Sequence, residues 1–105
     1  MATIALLCPD LLFGSKVEGS LRAAGHEVQS VLEPRAAAHA QVLVIDLTSD
    51  AEQRLEDLPE LPTLAFYSHV ERNVRELAEA AGVDRVVPRS RLAREGAQLV
   101  EAMLV

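Results

Sequence analysis

Four residues stand where their side chains could do chemistry together. Asp46 sits at the end of the apolar run VLVID, with Leu47, Thr48, Ser49 and Asp50 after it. Cys8 closes the run TIALLC and is followed by Pro9 and Asp10, while Arg89 and Ser90 follow RVVP. A carboxylate ending a buried segment can cap a helix, ligate a metal or accept a phosphoryl group, and Asp46 is a candidate for each. Asp10 is placed to cap the helix that follows it, and with Asp46 it would offer a hard cation two carboxylates. Arg89 would bring a fixed cationic fork to an anion. Cys8 is a nucleophile only as a thiolate, and a buried, inert thiol is its plainer reading. Tyr67, Ser68 and His69 follow the apolar run TLAF.

The elements that must hold these groups follow from the apolar pattern. Thr3–Cys8 is continuously apolar and ends at Pro9, as a strand buried on both faces should. Phe13, Val17, Leu21 and Ala24 recur at helical spacing up to Gly25, a C-terminal helix signal. His26–Leu32 reads as a weaker strand, and Pro34–Ala40 has room for two helical turns. Val42–Leu47 is the next apolar strand. Ser49 and Glu52 have the spacing of a capping box, which predicts a short helix through Leu58, stopped by Pro59 and Pro62. Thr63–Tyr67 is a strand. Val70, Val74, Leu77, Ala78 and Ala81 mark an amphipathic helix closed by Gly82. Arg85–Val87 is a last short strand, and Leu92, Leu99, Val100 and Met103 mark a final helix. Five alternating strand–helix units with apolar strands predict an α/β three-layer, doubly wound parallel five-stranded sheet. In such a fold ligands bind beyond the carboxyl ends of the strands, which gathers Cys8, Pro9, Asp10, Asp46, Thr48, Tyr67, Ser68, His69, Arg89 and Ser90 at one edge.

Composition narrows the function classes. The chain has 105 residues, half of them apolar, which predicts one domain over residues 1–105 around one core, with no output domain. No apolar run is long enough for a membrane span, and the single cysteine suits a reducing, cytoplasmic setting. A net charge of −6 argues against a non-specific nucleic-acid binder. Against that balance, Arg85, Arg89, Arg91 and Arg94 form a local basic stretch, either an anion or partner contact or a solvated helix face. The GSK at Gly14–Lys16 lacks the upstream glycine of a phosphate-binding loop, and His26, His39 and His69 have no metal-like spacing.

Read in register, IALLCPDLLFGSKVEGSLRAAGHEV, VLVIDLTSD, PTLAFYSHV and AGVDRVVPRSRL resemble in turn the first helix with its strands, the third strand, the fourth strand and the fifth strand of response-regulator receiver domains. The resemblance covers nearly the whole chain and implies the flavodoxin-like, CheY-like sheet with strand order 2-1-3-4-5. The segments around the second and third helices are shorter than that family usually has.

Carried over position by position, the resemblance puts Asp46 where the family's phosphoryl acceptor stands. The family's acidic pair falls on Cys8 and Pro9, with Asp10 one place beyond. The small switch hydroxyl falls on Tyr67, beside Ser68, and the functional lysine on Arg89. Transfer of a phosphoryl group to a carboxylate needs a divalent cation, and magnesium prefers oxygen ligands. The resemblance therefore implies a non-enzymatic pseudo-receiver of two-component or phosphorelay signalling, its phosphorylation site degraded, which acts by binding proteins. It needs no cofactor, and magnesium enters only if Asp46 is active. The family's interaction face, made by its fourth helix, fifth strand and fifth helix, implies protein partners or a homodimer through residues 71–81, Arg85–Val87 and the helix after Arg89, with Arg85, Arg91 and Arg94 as interface candidates. One alternative is a phosphorylatable receiver using Asp46 with an atypical magnesium site at Asp10 and Asp46. A second is a phosphocysteine carrier of the sugar-phosphotransferase IIB type using Cys8, although PDLLFGS lacks that family's glycine- and hydroxyl-rich phosphate loop.

Overall fold

The computed structural model describes residues 2–68 and 72–104. Its strands are β1 (Thr3–Leu7), β2 (Glu27–Ser30), β3 (Val42–Asp46), β4 (Thr63–Tyr67) and β5 (Arg85–Pro88). Its helices are α1 (Leu11–Ala23), α2 (Ala51–Leu55), α3 (Arg72–Ala80) and α4 (Arg89–Met103), with one 3-10 turn at Pro34–Ala37. The strands form a single sheet in the order β2-β1-β3-β4-β5. Every pair is parallel, in the register Leu7↔Ile45 and Asp46↔Phe66 at the carboxyl ends.

Strand alternation divides the core in two. Ile4, Leu6, Val42, Val44, Leu64 and Phe66 face α1 and α4, where they meet Val17, Leu21, Leu99 and Val100. Ala5, Leu7, Leu43, Ile45, Ala65 and Tyr67 face the other way, against Leu55 of α2 and Val74 and Ala78 of α3. The central strands β3 and β4 are buried at every position, whereas β2 alternates or exposes its residues as an edge strand does. Each fully buried aliphatic side chain here contributes on the order of 1.5–3 kcal/mol.

Several element ends differ from those the sequence predicts. β1 stops at Leu7 and β2 covers only Glu27–Ser30. The segment from Pro34 winds into one 3-10 turn rather than two helical turns. The expected Ser49–Glu52 capping box does not form. Asp50 instead enters α2 in the left-handed region at φ 53°, with no side-chain cap, and the helix ends at Leu55 rather than Leu58. Aspartate tolerates that conformation better than most side chains. The glycine stops do hold: Gly25 and Gly82 have φ of +94° and +89° beyond α1 and α3. His69 and Val70 lie outside the described residues. Among the described residues no helix is long and apolar enough to cross a membrane.

Candidate functional site

The carboxyl edge of the sheet gathers the expected residues because β1 and β3 are neighbours in register. Cys8 and Asp46 follow the paired residues Leu7 and Ile45, and both turn toward the α1/α4 side. Asp46 is buried. Its Oδ1 accepts from the Thr48 N–H at 2.8 Å and from the Thr48 hydroxyl at 2.6 Å, a local turn in which the side chain takes the place of a backbone acceptor. Its Oδ2 faces the Cys8 thiol, which donates across 3.8 Å, long even for sulfur. Burial first, and next the negative charge of Asp46, push the Cys8 thiol up to about 11. The group beside Asp46 at neutral pH is therefore a neutral thiol.

Asp10 is the N-cap of α1. Its Oδ1 accepts from the Leu12 and Phe13 N–H groups, each at 3.1 Å, satisfying two amides that the first turn leaves free. Its Oδ2 receives the Arg89 guanidinium at 3.4 Å. The Phe13 N–H above all, with Arg89 and the Leu12 N–H helping, holds the Asp10 carboxyl below its ordinary value.

Arg89 opens α4, where a cation meets the positive end of the helix dipole and no acidic residue stands in the first turn. Its charge is held instead by Asp10 and by the face of Phe13, whose ring centroid lies 4.3 Å from the guanidinium carbon. Phe13 in turn packs against Phe66, with ring centroids 5.3 Å apart.

The remaining candidates are less closely joined. Tyr67 is buried in the opposite core, among residues facing α2 and α3, because it is one residue past Phe66 and alternation turns it away. Ser68 is half-buried just beyond β4. Arg91 and Arg94 both point to Glu95, at 3.6 and 3.9 Å, and Arg85 is exposed. The basic stretch is thus partly neutralised within its own helix.

Two contributors have no sequence signal. Arg54 of α2 reaches back to donate to the Asp46 backbone carbonyl at 2.6 Å, and Phe13 serves as the platform under Arg89. Thr48 was legible, since a hydroxyl two residues after an aspartate commonly closes such a turn. The arrangement offers one buried carboxylate, with one oxygen taken by Thr48 and the other against a neutral thiol. A second carboxylate is committed to a helix end and an arginine.

No protein-family model matches this sequence, and no curated protein sequence does either. Solved structures are similar over nearly the full length. The non-phosphorylated HemR receiver domain from Leptospira biflexa is 17% identical with a TM-score of 0.76, covering 99% of this chain and 94% of that one. A CheY-like response regulator receiver domain protein from Methanospirillum hungatei JF-1 is 14% identical with a TM-score of 0.80, over 99% and 94%. The chemotaxis protein CheY4 of Vibrio cholerae is 16% identical with a TM-score of 0.77, over 99% of each chain. At these identities the likeness is one of architecture: the chain has the CheY-like, flavodoxin-like fold of response-regulator receiver domains.

Proposed function

We propose that this chain is a receiver-like signalling module that works by binding proteins, without enzymatic activity and without phosphorylation of Asp46. The observation that carries this reading is the commitment of Asp10. Its carboxylate caps α1 and holds Arg89, so it is not free to join Asp46 around a cation. Magnesium binds through oxygen and keeps near-octahedral geometry. The neutral Cys8 thiol beside Asp46 is a poor ligand for it, and Pro9 supplies neither a carboxylate nor an N–H. Arg89, turned onto Phe13 and Asp10, would have to leave both to meet a phosphoryl group on Asp46.

On this reading the partner-binding state does not wait on a phosphoryl signal. The family's habit of pairing through its fourth helix, fifth strand and fifth helix makes the surface of α3, β5 and α4, with Arg85, Arg91 and Arg94, a candidate for partner or homodimer contact. The raised thiol also disfavours the phosphocysteine alternative, which needs an accessible thiolate.

The test is intact-mass spectrometry after incubation with acetyl phosphate and magnesium, beside Asp46→Asn and Cys8→Ser. No adduct is expected. A hydroxylamine-labile adduct lost in Asp46→Asn would establish a live acceptor, and one lost in Cys8→Ser would establish a phosphocysteine.

A further inference from the structure

The face opposite α1 and α4 is thinly covered. The four-residue 3-10 turn and the five-residue α2 leave depressions where longer helices would fill the surface. One, of about 410 Å³, runs between the 3-10 turn and α2, bounded by Leu32, Glu33, Pro34, Asp50, Glu56 and Asp57. A second, of about 470 Å³, continues from it past Leu58 and Pro59 and shares Glu56 and Asp57. Together they make a trough along α2, longer than a single ion or small anion requires.

Its chemistry is one-sided. Leu32 is 99% exposed, the most exposed of the large apolar side chains among the described residues. Around it stand four carboxylates. Asp57 is met at 3.4 Å by Arg35, whereas Glu33, Asp50 and Glu56 enter no ion pair among the described residues. Two arginines line the trough: Arg35 is engaged by Asp57, and Arg54 is turned inward to the Asp46 carbonyl. Like charges crowded around an exposed leucine repel one another, and an oppositely charged occupant relieves that repulsion. Among the described residues these carboxylates are not gathered closely enough to form a metal-ligating group. Length, an apolar contact and spread-out negative charge together fit a peptide.

We propose that this trough docks a cationic segment of a partner protein, with one apolar residue seated on Leu32 between arginines or lysines that face Glu33, Asp50 and Glu56. This rests on the reading of the chain as a protein-binding module and places one partner surface away from the α3–β5–α4 face. Raised ionic strength weakens the contact, because its charges lie at the surface.

The test is titration of the isotope-labelled full chain, followed by amide chemical shifts at low salt. The ligand is a blocked hexapeptide with one leucine between two arginines. Control peptides replace the arginines by glutamate or the leucine by serine. Shifts confined to residues 31–35 and 50–59 are expected, with neither control peptide binding comparably. Affinity should fall at least about tenfold in Glu33→Gln/Asp50→Asn/Glu56→Gln, and about fivefold in Leu32→Ser. All four positions are exposed, so these variants keep the fold. Shifts spread over acidic residues elsewhere, or unchanged affinity in either variant, would overturn the proposal. So would sedimentation showing that the peptide only displaces a second copy of the chain. A phosphoryl adduct on Asp46 would defeat the functional reading and leave this titration unchanged, so the two failures are separable.

Discussion

Cys8 Sγ lies 3.8 Å from Asp46 Oδ2, so the side chain that meets that carboxylate oxygen from the end of β1 is a thiol rather than an acid. Burial and the Asp46 charge raise the thiol to about 11, which leaves roughly one molecule in a thousand as thiolate at pH 8. Alkylation by iodoacetamide should be slow at neutral pH and should accelerate tenfold per pH unit up to about pH 11. Asp46→Asn should speed it at pH 8 by removing the adjacent negative charge. An alkylation rate that levels off near pH 8 would sink this assignment. The same shift makes a stability statement. The protonated thiol's contribution is fully present below its unfolded value of 9.0 and is lost as pH rises through about 11.

Asp10 combines a cap with a charge, and two substitutions separate them. Asparagine caps about as well as aspartate, whereas alanine does not cap. Asp10→Ala should lower the melting temperature by more than Asp10→Asn. Because the folded carboxyl lies below its ordinary value of 3.8, its charge contributes stability above that value and loses it as pH falls through the lower, folded one. Denaturant midpoints compared at pH 3 and pH 7 should show this acid-sensitive component in the parent protein and not in Asp10→Asn.

If Cys8 and Pro9 are what denies Asp46 a cation, supplying acids there should restore one. In Cys8→Asp/Pro9→Asp the new carboxylate beside Asp46 raises like-charge repulsion, which a divalent cation relieves. The double variant should be less stable than the parent without magnesium, and its melting temperature should rise with magnesium while the parent's does not. Equal responses of the two proteins would show that these positions are not the limiting ones.

Phe66 lies at the meeting of the core and the site, packed against the ring that carries Arg89. Phe66→Ala should cost about 3–5 kcal/mol in urea unfolding, since the cavity is fully buried. Leu32→Ser, at a fully solvated position, should change stability by less than about 0.5 kcal/mol.

Beyond α3, Gly82 adopts φ +89°, a region that L side chains rarely enter. Gly82→Ala should cost about 1 kcal/mol although open space surrounds the position, because the penalty lies in the backbone. Gly96→Ala, at a glycine with no positive φ, serves as the control in the same thermal-unfolding series.

The amino-acid sequence by itself determined the sheet. Strands buried on both faces must be apolar throughout, so TIALL, VLVID and TLAFY identify themselves, and alternation with amphipathic segments leaves a parallel, doubly wound order as the natural arrangement. It also determined which residues reach one edge, because strand ends are marked by where apolar runs stop. Short-range signals carried less at α2, where the spacing of Ser49 and Glu52 suits a cap. The chain enters through Asp50 instead, since the few residues between β3 and Pro59 must turn onto the sheet at once. Only the tertiary structure decided how the site residues are spent. That Arg89 reaches Asp10 and lies on Phe13, and that Cys8 meets Asp46, depend on contacts between segments far apart in sequence. Periodicity fixes which face a residue occupies; the packed neighbours fix what its side chain is free to do.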